Sequence, residues 1–178
     1  MPIISTRKVV FAGAVAALYA TLTMSLSFIG YGPIQFRLAE ALCILPFFFP
    51  FTVWGLFAGC VIANLISPFP LDVLIGPLAT LLAGLCTMLI GKARRPSSYA
   101  KALACLPPVI INAVFIGAMI AYYMTDASGA RAFMIAYAAA GLEVGLGQLA
   151  VMYAIGLPLM VYLPRSGLYA KMSEFYGT

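Results

Sequence analysis

The chain has 178 residues, 64% of them hydrophobic and only 8% charged, with a mean hydropathy of +1.07 and a formal net charge of +5. A soluble domain carries roughly 25% charged residues, and a water-soluble fold of this size has no way to hide so much apolar surface, so the composition excludes one and makes lipid the main solvent. The ten Lys+Arg and five Asp+Glu flank apolar runs, where they report topology and not a nucleic-acid surface.

The first apolar run lies in "RKVVFAGAVAALYATLTMSLSFIG". Its two leading cations imitate a signal peptide, but about twenty apolar residues exceed the roughly 7–15 of a signal core. A retained first span over about 9–29 is expected. Ala12, Ala16 and Ala20, with Gly13 and Ala17 alongside, repeat small side chains at four-residue spacing. Such a ridge lets another helix approach closely, either within the bundle or from a different subunit. The following "GYGPIQFR" carries Gly30, Gly32 and Pro33 and reads as a shaped turn.

The second span is expected over about 38–49, closed by Pro46 and Pro50, and the third over about 52–66, ended by "SPFP". Both are shorter than the ~17–25 residues of a full crossing. They are two short spans or one re-entrant hairpin. The fourth span, about 71–90, ends at "GKARRP"; the fifth covers about 102–124 and the sixth about 134–163. No sequence repeat relates the two halves.

Charge placement discriminates between these counts. With six spans and the N-terminus inside, Arg7, Lys8, Lys92, Arg94, Arg95, Lys101, Arg165 and Lys171 fall on the inner side, leaving Arg37 and Arg131 outside. A hairpin would move "GKARRP" outside, against the positive-inside bias. The expected fold is therefore an all-α six-helix membrane bundle, a single domain over 1–178 with both termini cytoplasmic.

Few residues carry chemistry. There is no histidine, and Cys43, Cys60, Cys86 and Cys105 show no CxxC spacing, so no metal or redox site is expected and the cysteines read as reduced packing residues. Without a GxxxxGK[ST] loop or a Ser/His/Asp set the chain reads as neither an ATPase nor an enzyme, and no cofactor is called for. Glu143, in "AAAGLEVGLGQLA", is expected about 13 Å into the sixth span and turned toward the interior or a cavity, where Gln148 can border the same space. Asn112 lies mid-span and either bonds another helix or joins a site; Asn64 is a weaker candidate of the same kind. Asp72 at the start of the fourth span either complements a helix N-terminus or contacts a ligand. Tyr122 and Tyr123 form an interfacial belt or a stacking surface. Arg37 and Glu40 share a helix face, where they pair with each other or, with Gln35, line the outer mouth of the bundle.

The segment "AALYATLTMSLSFIGYGPIQFRLAEALCILPFFFP", followed by "GLFAGCVIANLISPFPLDVLIGPLATLLAG", resembles the QueT family, the queuosine-precursor S components of energy-coupling factor (ECF) transporters. The resemblance is densest over 16–84. It implies six helices in the cell membrane, a transmembrane coupling subunit and two cytoplasmic ATPases as partners, and capture of a deazaguanine from outside. It further implies docking to the coupling subunit through an AxxxA-type motif on the first helix, for which Ala12/Ala16, Ala16/Ala20 and Gly13/Ala17 all have the spacing. The substrate is implied to lie in the outer half under the first loop, which puts weight on Gln35, Arg37, Glu40, Asp72, Asn112 and Glu143. A carboxylate suits the base edge or an amine substituent of such a ligand, with Glu143 as first choice and Glu40 as second. An autonomous ion-coupled carrier of a small polar solute, with Glu143 and Asp72 as proton sites, is the rival expectation.

Overall fold

The computed structural model describes residues 5–26, 36–93, 97–125 and 129–176, and among these every regular element is helical. They are α1 (Thr6–Ser25), α2 (Leu38–Phe48), α3 (Thr52–Asn64), α4 (Asp72–Ala93), α5 (Ser98–Thr125), α6 (Ala130–Arg165) and α7 (Gly167–Tyr176). Helices α1, α4, α5 and α6 are long and apolar enough to cross a membrane, while α2 and α3 belong to a shorter class. At about 1.5 Å per residue the 13 residues of α3 reach only about 20 Å. Large apolar side chains such as Val10, Trp54, Leu65, Leu74 and Leu142 point outward, as lipid-facing surfaces do and soluble ones rarely do over so wide an area.

Proline and small residues decide the local course. Leu38–Ile44 is wound as a tight 3-10 helix before Pro46 starts one α-turn. The chain then reverses through Phe49–Phe51 into α3. Helices α1 and α3 run parallel at close range: a Cβ on Gly55 would overlap the Ala12 carbonyl, and one on Gly59 would lie 2.6 Å from Ala16 O and 2.9 Å from Tyr19 Cβ. Half of the small-residue ridge is thus consumed inside the bundle. Ala16 and Ala20 are buried, whereas Gly13 and Ala17 stay exposed and Gly13 has no atom within 4 Å of a built Cβ.

The six helices α1 to α6 alternate in direction. Gly91 of α4 packs on the Phe47 backbone, Thr87 donates to Ala104 O, and Leu71 N donates to the Tyr123 hydroxyl. Helices α5 and α6 meet along Ala113 and Gly117 against Gly141 and Gly145. One end of the bundle gathers the start of α1, the α2–α3 reversal, the end of α4 and α7. There Phe11 packs on Phe49, Phe51 and Tyr176, and Phe48 packs on Tyr169. Helix α7 carries no signal in a hydropathy reading that ends the last span near residue 163. It is held by this aromatic cluster.

Candidate functional site

Polar side chains are scarce in the interior, and most of those present are joined. In the lower layer, nearer the aromatic end, the Glu40 carboxylate accepts from three neutral donors. The Tyr19 hydroxyl donates to Oε1 at 2.5 Å, the Cys43 thiol to Oε2 at 3.2 Å and Asn112 Nδ2 to Oε2 at 3.4 Å. In the upper layer Arg37 Nη2 lies 2.7 Å from Asp72 Oδ2, which also accepts from Ser67 Oγ at 2.9 Å. Asn64 Nδ2 donates to the Asp72 backbone oxygen at 2.8 Å, and Thr80 Oγ1 lies 3.4 Å from the Cys60 sulfur. Gly76 makes the upper layer possible, because a Cβ there would strike Asn64 Nδ2 and lie 2.6 Å from Asp72 Oδ1.

The burial corrects one expectation. Arg37 is 5% exposed and Glu40 1%, so neither sits in water at an open mouth: Arg37 is paired with Asp72, and Glu40 is held by neutral hydrogen-bond donors. Local spacing suggested an Arg37–Glu40 pair, but the carboxylate against Arg37 comes from Asp72, thirty-five residues on. A buried charge is tolerable only when paired and hydrogen-bonded, and α4 brings that partner in.

Glu143 is the second correction. It is exposed on the outer side of α6, although it was expected to face the interior. The close α5–α6 seam fixes the rotation of α6, and Ala140, Val144, Gln148 and Met152 form its buried stripe. Glu143, one residue before Val144, is turned about 100° away from that stripe. The interior polar group of α6 is instead Gln148, 2% exposed and with Oε1 lacking a hydrogen-bond partner among the described residues.

The structure therefore brings Arg37, Glu40, Asp72 and Asn112 into one buried region and leaves Glu143 outside it. Gln35, and with it the Gly30–Gly32–Pro33 turn, lies outside the described residues, as do Arg94 and Arg95. Asn64 joins the region as a support for Asp72. Tyr123 braces the start of α4 through Leu71 N and packs on Phe69, with ring centroids 5.2 Å apart. Tyr122 lines an apolar groove of about 390 Å³ with Leu71, Ile75, Met119 and Tyr137. Tyr19, Cys43 and Gln148 are the members that sequence reasoning missed or underweighted. The one available signal was a hydrogen-bonding group inside an otherwise apolar or small-residue run.

Among the polar groups just described, two buried acceptors remain open, Asp72 Oδ1 above and Gln148 Oε1 below, and the Thr23 hydroxyl on α1 likewise has no hydrogen-bond partner among the described residues. An unsatisfied buried acceptor costs about 1–3 kcal/mol, and a ligand bearing N–H donors would recover that. Chemically, the arrangement offers acceptors to a donor-bearing ligand and, among the described residues, no nucleophile–base pair for covalent chemistry. Among the described residues no group of His, Cys, Asp and Glu is placed to hold a metal ion.

A family model described as QueT transporter matches residues 9–165. A curated relative, the queuosine precursor transporter QueT of Lactococcus lactis subsp. cremoris (strain MG1363), is 45% identical over 78 residues, which make up 43% of this chain and 46% of that protein. The aligned part thus spans about half of the relative's length. No solved structure matches.

Proposed function

The chain belongs to the QueT transporter family, and on that premise we propose that it is the substrate-capturing membrane subunit of an ECF-type transporter importing a queuosine precursor of the 7-deazaguanine kind. The observation that carries this reading is the run of buried donors and acceptors from Asp72 and Arg37 to Glu40, Asn112 and Gln148 inside an apolar bundle. A deazaguanine offers ring and amino N–H donors beside a carbonyl, groups that a buried open acceptor such as Gln148 Oε1 can bind.

Six crossings with both ends in the cytoplasm are supported by the alternating helices and by the cations Arg7, Lys8, Lys92, Arg165 and Lys171 near one end. The cell membrane is the corresponding location. The coupling subunit and two ATPases supply the energy, and the docking ridge is the Gly13/Ala17 face, since Ala16 and Ala20 are already buried. The expected result is that the purified chain in detergent or nanodiscs binds a deazaguanine precursor without ATP. A folded preparation that binds none of them overturns the substrate assignment.

A second reading, an autonomous ion-coupled carrier, draws on the buried carboxylates Glu40 and Asp72 as proton sites. Uptake by liposomes containing this chain alone, driven by a proton gradient, would favour it.

A further inference from the structure

We propose that Gln148 is a specificity-determining residue that reads the lactam edge of the base, its amide N–H donating to the ring carbonyl and its Oε1 accepting from the adjacent ring N–H. This rests on the function proposed above.

Three observations lead to it. The first is that Gln148 is 2% exposed and its Oε1 has no hydrogen-bond partner among the described residues, whereas both oxygens of Glu40 already accept hydrogen bonds from Tyr19, Cys43 and Asn112.

The second is its height. Gly145 faces Ala113 across the α5–α6 seam, so Gln148 and Asn112 differ by only about 3 Å along the bundle. The amide therefore belongs to the Glu40–Asn112 layer. Asp72, the other open acceptor, lies about seven residues farther out along α4, or about 10 Å, when α4 and α5 are registered by the Thr87–Ala104 bond. The two acceptors do not serve one edge of one base. Gln148 supplies a donor and an acceptor side by side, the complement of a cyclic amide.

The third is the backbone beneath it. Met152–Gly156 is wound as a π-helix, and Met152 N bonds to the carbonyls of Gln148 and Leu149. Met152, Gly156 and Met160 continue the buried stripe below Gln148. In a regular α-helix a four-residue spacing drifts about 40° per step. The wider π turn offsets that drift and keeps Gln148 on the same inward stripe as the residues packed on α2, where Gly156 meets Ile44.

The test uses the full chain in nanodiscs and measures affinity for 7-cyano- and 7-aminomethyl-7-deazaguanine and for the 6-deoxo analogue of each. Gln148→Met, close in volume, is expected to weaken the oxo ligands on the order of 10–100-fold and to leave the 6-deoxo analogues within about threefold. Gln148→Glu keeps an acceptor and removes the donor, and it is expected to lose the oxo ligands as well; it provides the readout if Gln148→Met does not fold. Equal losses for both ligand classes, or unchanged affinity, overturn this inference while leaving the proposed function standing. Failure of the unaltered protein to bind any deazaguanine overturns both.

Discussion

Arg37 Nη2 and Asp72 Oδ2 sit 2.7 Å apart with both side chains withdrawn from solvent, tying the start of α2 to the first residue of α4. Because α3 lies between them in sequence, this single pair closes the α2–α3–α4 unit. It also neutralises the cation that Arg37 brings into the bundle just ahead of α2. Removing one partner leaves the other charge buried and uncompensated. Arg37→Met or Asp72→Leu alone should cost about 3–5 kcal/mol, whereas the double substitution should cost clearly less than their sum. Thermal unfolding of the purified protein in detergent checks the cycle, and strictly additive losses would contradict the pairing.

Glu40 depends on neutral donors. Tyr19→Phe removes the 2.5 Å hydroxyl contact without changing the ring packing, and the expected loss is about 1–3 kcal/mol because a buried acceptor is left short of a donor. Equal stability of Tyr19→Phe and the unaltered protein would deny Glu40 its partner.

The two faces of α1 should respond oppositely. Gly59→Ala places a methyl 2.6 Å from Ala16 O, and overpacking of this kind costs about 1–3 kcal/mol. Gly13→Trp meets open space, so folding and ligand affinity should be unchanged. If the proposed coupling subunit docks on this face, co-purification with it should nevertheless be lost. Retained co-purification would move the docking face elsewhere.

Gly76 is a sensitive position for a different reason. Gly76→Ala puts its Cβ 2.6 Å from Asp72 Oδ1 and into Asn64 Nδ2. The upper layer must then rearrange, and deazaguanine affinity is expected to fall at least about 10-fold. Isothermal titration of the folded variant decides it; affinity equal to that of the unaltered protein would remove the upper layer from the site.

Glu143 should be silent in ligand binding. Its exposure on the outer side of α6 predicts that Glu143→Ala leaves affinity within about twofold, in contrast to Asn112→Leu, which leaves Glu40 short of a donor and should weaken binding. The same titration compares the two, and a large loss from Glu143→Ala would bring the helix rotation described here into question.

The sequence alone determined the lipid-facing class of the chain, the order of its apolar helices and most of the punctuation between them. A chain with 8% charge has no other solvent to fold in, and proline and glycine clusters such as those around Pro46, Pro50 and "SPFP" break helices by local sterics, although Pro77 and the seam glycines lie inside helices. It also picked out Arg37, Glu40, Asp72 and Asn112, because polar groups in an apolar run are costly enough to need a reason. What it left open was partnership and rotation. The Arg37–Asp72 pair spans thirty-five residues and exists only because α3 and α4 fold back beside α2. Whether α6 turns Glu143 or Gln148 inward depends on the glycine seam with α5, since one residue of helical phase is about 100°. Small residues are legible in a sequence, but which helix each one lies against is decided only when the bundle closes.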